Sequence, residues 1–250
     1  MAFVAAEPDV EGAALEIVDV PIERRHGFLS ARLPTGALVE GTTRHMLAAL
    51  HGLMHWDLSQ SHPTSPVLHG ATVLIEGRRL VLMADKGAGK TTLTLSLLAA
   101  GHGIEGDEHL VLEPDAVIAR PRTLRVKTAS LRLVGDGPAT LAQCPRIDLW
   151  GGGHIYAVNP SLFGRPWIIR RGQLDGLVFI EANHGGRSVA KPMARDEAFR
   201  RLMRTAMFPG TSLLAETARV RRLVSAVPAF SLRLGDLTGA QFHLKHLAQA

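Results

Sequence analysis

The stretch "ADKGAGKT", residues 84–91, is the most informative in the sequence. It fits the Walker A template G-x-x-x-x-G-K-[S/T] at every position except the first, where Ala84 replaces glycine. In such a loop, backbone N–H groups surround phosphate oxygens and the lysine adds a positive charge. The residues predicted to hold the phosphates are Lys86, Gly87, Ala88, Gly89, Lys90, Thr91 and Thr92.

The segments on either side of this loop have the pattern that a phosphate loop requires. Residues 67–84 read as two β-strands joined by a turn at residues 76–78, and the second strand enters the loop. Leucines then recur at helical spacing between residues 91 and 100, and Gly101 marks the end of that helix. The sequence therefore predicts a strand, a phosphate loop and a helix in succession.

The wider chain predicts an α/β protein with a mixed sheet. Two strand-like runs (14–20 and 27–41) and a helical pattern (42–58) precede the polar, proline-containing break "SQSHPTSP". We therefore expect an N-terminal appendage at residues 1–62 and a catalytic domain at residues 63–250. Further strand-like runs follow at "HLVLE", "AVIARP", "GLVFIEAN" and "AFSLRL", with helices near 194–207, after 211 and at the C-terminus. The glycine-rich stretch "GGGHIYAVNP" is interpreted as mobile.

Composition excludes several classes of protein. With 46% hydrophobic and 20% charged residues the chain resembles ordinary soluble proteins, and it has no apolar run long enough to span a membrane. The N-terminus lacks the pattern of a secretory signal, so we expect a cytoplasmic protein. The net charge of +5 is dispersed, and aromatic residues make up only 5%, which argues against nucleic-acid binding. No HExxH or Cys/His spacing predicts a metal site.

An acidic pair, Asp107 and Glu108, lies between the predicted helix and the run "LVLE". A kinase needs a carboxylate that takes the proton of the acceptor hydroxyl, and these are the nearest candidates in the sequence. Neighbouring residues of a strand point to opposite faces, so one of the two faces the phosphates unless the backbone is irregular there. We predict that Asp107 is the residue that faces the phosphates, either as a base or as an acid that orients the metal. No guanine-specifying signature is present, so ATP is the expected nucleotide.

Residues 68–112 resemble the catalytic core of the HPr kinase/phosphorylase family. The resemblance lies in the order and spacing of a His-Gly strand, the phosphate loop and the acidic pair. It implies a fold related to that of phosphoenolpyruvate carboxykinase, with ATP and Mg²⁺ as cofactors, and commonly a homo-oligomer. It also implies that His69 is the active-site histidine, that Lys90 and Thr91 are the loop lysine and hydroxyl residue, and that Asp107 is the base toward a serine.

The chain also departs from the family pattern. Thr91 stands where serine is usual, Glu108 replaces a second aspartate, and the family's Glu-x-Arg-Gly signature is absent downstream. The acceptor therefore stays open between a serine of a protein or peptide and a small hydroxyl compound. Cations that could complete the charge of the site are Arg122, Lys127, Arg165, Arg170 and Arg171.

Together these features predict an ATP-dependent kinase that transfers the γ-phosphoryl group to a hydroxyl acceptor. Asp107, His69 and Lys90 are the predicted catalytic residues, and Thr91 and Glu108 are the predicted ligands of Mg²⁺. The alternative is a nucleotide-binding regulatory module or NTPase switch, in which the same loop binds nucleotide and the acidic pair only orients the metal.

Overall fold

The computed structural model describes residues 2–5, 16–19, 22–25, 28–32, 38–42, 62–120, 123–131, 143–148, 153–165, 170–210 and 212–249. The chain forms two compact units, Met1–Pro63 and Thr64–Ala250. Strands of the first unit are β1 (Ala2–Ala5), β2 (Glu16–Asp19), β3 (Ile22–Arg25), β4 (Phe28–Arg32) and β5 (Leu38–Gly41). β1 pairs with β2, and β3, β4 and β5 form an antiparallel sheet. The helix predicted after Thr42 lies outside the described residues.

The second unit contains the glycine-rich loop and three sheets. Its strands are β6 (Val67–His69), β7 (Ala71–Ile75), β8 (Arg78–Ala84), β9 (Gly103–Gly106), β10 (His109–Leu112), β11 (Val117–Arg120), β12 (Leu124–Lys127), β13 (Arg146–Asp148), β14 (His154–Val158), β15 (Arg171–Gly172), β16 (Gly176–Ala182), β17 (Val189–Pro192) and β18 (Ala229–Leu234). Its helices are α1 (Lys90–Ala99), α2 (Thr128–Leu131), α3 (Arg195–Thr205), α4 (Leu213–Ala226) and α5 (Leu237–Gln249). Among the described residues, no helix combines the length and apolar character needed to cross a membrane.

The main sheet has the strand order β17-β18-β16-β8-β7-β9. β8, β16 and β18 run parallel, whereas β7 is antiparallel to both β8 and β9, and β17 is antiparallel to β18. The central strand β8 is buried on both faces, because helices or a second sheet cover each side. The predicted α/β class with a mixed sheet is thus confirmed.

Alternate residues of β8 divide between two hydrophobic cores. Leu80 and Leu82 pack with residues of α1 and α5 on one face of the main sheet. Val81 and Met83 pack on the other face with residues of α3, α4 and β10. This follows from the period of two along a strand, which directs successive side chains to opposite faces.

The two smaller sheets are antiparallel, with the orders β15-β11-β10-β6 and β12-β14-β13. β14 corrects the prediction that the glycine-rich stretch is mobile, because its residues 154–158 pair with strands on both sides. Ile155 and Val158 of that strand are buried. The glycines that suggested mobility precede a short run of residues with strong strand preference.

Candidate functional site

The glycine loop, residues 85–89, connects the C-terminal end of β8 to the first residue of α1. Gly87 and Gly89 have positive φ angles of 92° and 99°. Gly89 is the N-cap of α1, and a Cβ atom there would lie 2.7 Å from Leu234 Cδ2. A side chain at this position would be strained by the backbone and would also collide with Leu234. The loop therefore needs glycine where the Walker pattern has it.

The N-terminus of α1 is suited to an anion. No side chain of the described residues caps it, and its first turn contains no acidic residue. The first intrahelical bond runs from Leu93 N to the Gly89 carbonyl at 2.9 Å, so the preceding N–H groups have no partner within the helix. The helix dipole adds partial positive charge at the same place. These groups can receive phosphate oxygens.

Lys90, Thr91 and Asp107 converge beside the loop. The Lys90 ammonium donates to the backbone carbonyl of Asp107 and, at 2.9 Å, to its Oδ1 atom. The Thr91 hydroxyl donates to Asp107 Oδ2 at 3.2 Å. Asp107 is only 4% exposed. Three residues singled out from the sequence thus form one cluster of hydrogen bonds.

Asp107 reaches the loop because β9 ends at the same edge of the sheet as β8. β7 lies between these two strands and is antiparallel to each, so β8 and β9 run in the same direction. The sequence analysis missed β9 and placed the acidic pair directly after the helix. The strand is the run "GIEG", whose two glycines have low strand preference. Asp107 and Glu108 form a bend between β9 and β10.

His69 and Glu108 form a second group with His109, which the sequence analysis did not single out. His69 and His109 are directly opposite each other in the β6–β10 pair. Their ring centroids are 5.8 Å apart, with an interplanar angle of 71°. One potential ligand atom from each of His69, Glu108 and His109 lies within 4.8 Å of the others. The predicted ligation of Mg²⁺ by Thr91 together with Glu108 stays a prediction.

Another neighbour of the loop is the short helix α2. The Thr92 hydroxyl donates to Ser130 Oγ at 2.8 Å. Lys127, which ends β12 directly before α2, is exposed. Of the cations proposed to complete the site, Lys127 therefore lies directly before α2, the helix that contacts the first turn of α1. Ser130 was missed because no motif marks it in the sequence.

The other candidate cations lie elsewhere or outside the described residues. Arg171 pairs with Glu113 at 2.5 Å, and the Arg170 carbonyl accepts a hydrogen bond from Arg79. Arg165 lines a cavity of about 370 Å³ together with His102, which follows the C-terminal end of α1. Burial lowers the pKa of His102 below its ordinary value in this cavity. Arg122 lies outside the described residues.

A buried ion pair that the sequence did not reveal joins Arg79 of β8 to Glu105 of β9. Arg79 Nε donates to Glu105 Oε2 at 2.6 Å, and its Nη2 donates to Oε1 at 2.8 Å. Arg79 Nη1 also donates to the Gln173 carbonyl at 3.0 Å. The hydrogen bond to Glu105 raises the pKa of the Arg79 guanidinium. Glu105 lies in β9 and Gln173 lies before β16, so the hydrogen bonds of Arg79 join β8, β9 and that segment.

Comparison with known proteins gives one type of match. No model of a known protein family matches the chain, and no curated protein does so. Among solved structures, the chain is similar to the Hpr(Ser) kinase/phosphatase from Coxiella burnetii, with 11% sequence identity and a TM-score of 0.35. The match covers 73% of this chain and 93% of that chain.

Proposed function

We propose that this chain is an ATP-dependent phosphotransferase that moves the γ-phosphoryl group to a hydroxyl acceptor. The observation that carries the proposal is the convergence of Lys90 and Thr91 on buried Asp107, beside a glycine loop at a helix N-terminus. A phosphoryl transferase needs a phosphate cradle, a cation and a proton acceptor close together. The chain brings these three kinds of group to one edge of the sheet.

ATP and Mg²⁺ fit the groups present. Lys90 and the N–H groups of the glycine loop would hold the phosphates of ATP. The Thr91 hydroxyl, which donates to Asp107 Oδ2 at 3.2 Å, offers an oxygen of the kind that Mg²⁺ prefers. When bound, Mg²⁺ would neutralise part of the phosphate charge. An ATP-dependent activity also agrees with the cytoplasmic location expected from the sequence.

Asp107 would act as the general base through Oδ1. That atom now accepts a hydrogen bond from Lys90, and phosphates in the loop would attract the lysine away from it. The acceptor oxygen then bonds to the γ-phosphorus, the bond from that phosphorus to the bridging oxygen of ADP breaks, and the acceptor proton passes to Asp107. The products are the phosphorylated acceptor and ADP.

The backbone next to His69 supports the acidic bend that contains Asp107. β6 pairs with β10, and Gly70 N donates to the Glu108 carbonyl at 3.0 Å, which ties the acidic bend to the end of β6. A Cβ atom at Gly70 would lie 2.7 Å from Val81 Cγ1, so glycine is needed for this close approach to β8. In this proposal the backbone of β6 and Gly70 positions the acidic bend, and the predicted catalytic role of His69 stays a prediction.

One observation favours the alternative of a nucleotide-dependent switch. Both carboxylate oxygens of Asp107 are bonded to residues at the start of α1, as expected for an acid that orients a metal next to the loop. In that case nucleotide binding would change the contacts of Asp107 without any transfer. Transfer to an added acceptor separates the two functions.

The test is a screen with ATP carrying a labelled γ-phosphate against serine peptides and small hydroxyl compounds, including free serine. We expect label in at least one acceptor with the wild-type chain and none with Lys90→Ala, because the loop cation is lost. Lys245→Ala, which removes an exposed helical lysine from α5, is the matched control and should transfer normally. ATP binding without transfer to any acceptor would favour the switch, and unchanged transfer by Lys90→Ala would overturn the proposed site.

A further inference from the structure

The pairing of β6 with β10 places two imidazole rings on one face of the sheet β15-β11-β10-β6. His69 and His109 are directly opposite, and residues in such positions have Cβ atoms only about 4.5 to 5.5 Å apart. Their rings meet edge to face with centroids 5.8 Å apart. The two histidines are far apart in sequence, which explains why no linear metal motif is visible.

Glu108 joins this pair because the backbone bends before β10 begins. In a regular strand, Glu108 and His109 would point to opposite faces. Glu108 instead belongs to the bend at residues 107–108, and its carbonyl accepts a hydrogen bond from Gly70 N. The outcome is that a carboxylate oxygen and two ring nitrogens all lie within 4.8 Å of one another.

These distances are near those of a metal centre. Zinc bonds of about 2.0 to 2.2 Å in a tetrahedral site put neighbouring ligand atoms about 3.3 to 3.6 Å apart, so small side-chain rotations would close the set. All three residues are partly buried, which leaves room for water as a further ligand. Two imidazoles and one carboxylate suit zinc and related first-row ions, whereas Mg²⁺ prefers oxygen ligands alone.

We propose that His69, Glu108 and His109 bind one divalent transition-metal ion of the Zn²⁺ type. This ion is distinct from the Mg²⁺ expected with the nucleotide, and in this proposal Glu108 binds it instead of that Mg²⁺. Glu108 directly follows Asp107, which bonds to Lys90 and Thr91 beside the glycine loop. An ion bound to Glu108 would therefore fix the bend at residues 107–108. The inference rests on the three side chains alone and does not depend on phosphotransfer.

The experiment uses the full chain, freed of any affinity tag and of metal by chelation. Calorimetric titration with Zn²⁺ should show one ion bound per chain. Excess Mg²⁺ should not displace this ion. Titration with Co²⁺ should give the visible absorption bands of a low-coordinate site with nitrogen ligands. Absence of stoichiometric binding by the wild-type chain would overturn the proposal.

Variants assign the ion to this cluster. His109→Ala and Glu108→Gln should each weaken Zn²⁺ binding at least about tenfold, because each removes one of three protein ligands. His184→Ala, which removes a histidine from an exposed turn, is the matched control and should bind as the wild type does. Equal affinity in His109→Ala, Glu108→Gln and the control would place the ion elsewhere and overturn the site.

Two further measurements keep the outcomes separate. Circular dichroism and a melting curve establish that each variant is folded. Should His109→Ala fail to fold, Glu108→Gln decides, since it keeps the size of the side chain. Lys90→Ala should lose phosphotransfer but retain Zn²⁺, so failure of the proposed function and failure of the metal site give different results.

Discussion

Two buried cation–carboxylate pairs connect β8 and its loop to β9 and its bend, and they differ in kind. Arg79 meets Glu105 between the strands themselves, whereas Lys90 meets Asp107 just beyond their ends. The exposed fractions of the side chains are similar in the two pairs. They are 10% for Arg79 and 1% for Glu105, and 12% for Lys90 and 4% for Asp107. The pairs differ instead in the shape of the cationic group and in the groups that lie around it.

The arginine pair is rigid. Its planar guanidinium bonds to both oxygens of Glu105 and also donates to main-chain carbonyls, so its donors are directed to fixed partners. In the second pair, Lys90 carries its charge at the end of a flexible side chain, and the neighbouring loop is exposed. A lysine can exchange a carboxylate for a phosphate by rotation of its side chain. From this difference we expect the first pair to maintain the fold and, if the proposed function holds, the second pair to change partners when nucleotide binds.

The largest effect should come from Asp107→Asn, which tests the Lys90–Asp107 pair. Asparagine keeps the size and one oxygen but accepts no proton, so we expect phosphoryl transfer to fall by about 10² to 10⁴ with a modest change in nucleotide affinity. Kinetics and calorimetric nucleotide titration of the same variant, at two Mg²⁺ concentrations, measure both quantities. A loss of affinity of tenfold or more that extra Mg²⁺ restores would assign Asp107 to the metal and favour the switch.

Next in size is Arg79→Met, which tests the structural pair. Removing the arginine leaves the Glu105 carboxylate buried without its partner, so the free energy of unfolding should fall by about 3 to 5 kcal/mol. Denaturant unfolding followed by circular dichroism measures this loss. The double variant Arg79→Met with Glu105→Leu removes both charges and should regain most of the stability. A loss below about 1 kcal/mol would contradict a structural role for the pair.

A smaller effect is expected from nucleotide binding itself. At a free concentration of about 100 times Kd, Mg²⁺-ATP should stabilise the chain by about 2.7 kcal/mol, or roughly 5 to 10 °C in Tm. Lys90→Ala should lose most of this shift, whereas Lys245→Ala should keep it. Equal or greater stabilisation by GTP would contradict the expectation of an adenine nucleotide.

The smallest effect should be that of Lys90→Met on stability without nucleotide. Asp107 keeps the hydrogen bond from Thr91, and the neighbouring loop is open to water, so we expect a loss of about 1 to 2 kcal/mol. Denaturant unfolding beside Arg79→Met gives the direct comparison. A loss as large as that of Arg79→Met would show that both pairs maintain the fold, and the distinction between them would fail.

The parts of the fold predicted from sequence are those with a local signal. The Walker pattern located the loop, the leucine spacing located α1, and β16, β18 and the three downstream helices followed from apolar periodicity. The short strand β9 and the strand β14 escaped, because glycine within or before each run concealed the strand preference. Local pattern therefore describes long apolar elements and fails on short strands that depend on pairing.

The candidate site was predicted only where its residues are close in sequence. Lys90, Thr91 and Asp107 are separated by one helix and one short strand, and their contact follows from the motif and its spacing. The neighbours His109 and Ser130 depend on pairing in two smaller sheets, which the sequence does not encode in any local pattern. The Arg79–Glu105 pair was missed because it depends on the place of β9 in the main sheet, which no local pattern encodes.

The closeness of Leu234 to the backbone of Gly89 links the loop to the order of protein synthesis. Leu234 ends β18, which the ribosome makes long after the Walker segment, and β18 joins the main sheet through β16. A nascent chain that stops before β18 lacks the Leu234 side chain next to the loop. If the loop binds nucleotide as proposed, we expect a chain truncated before β18 to carry the motif but to bind nucleotide weakly.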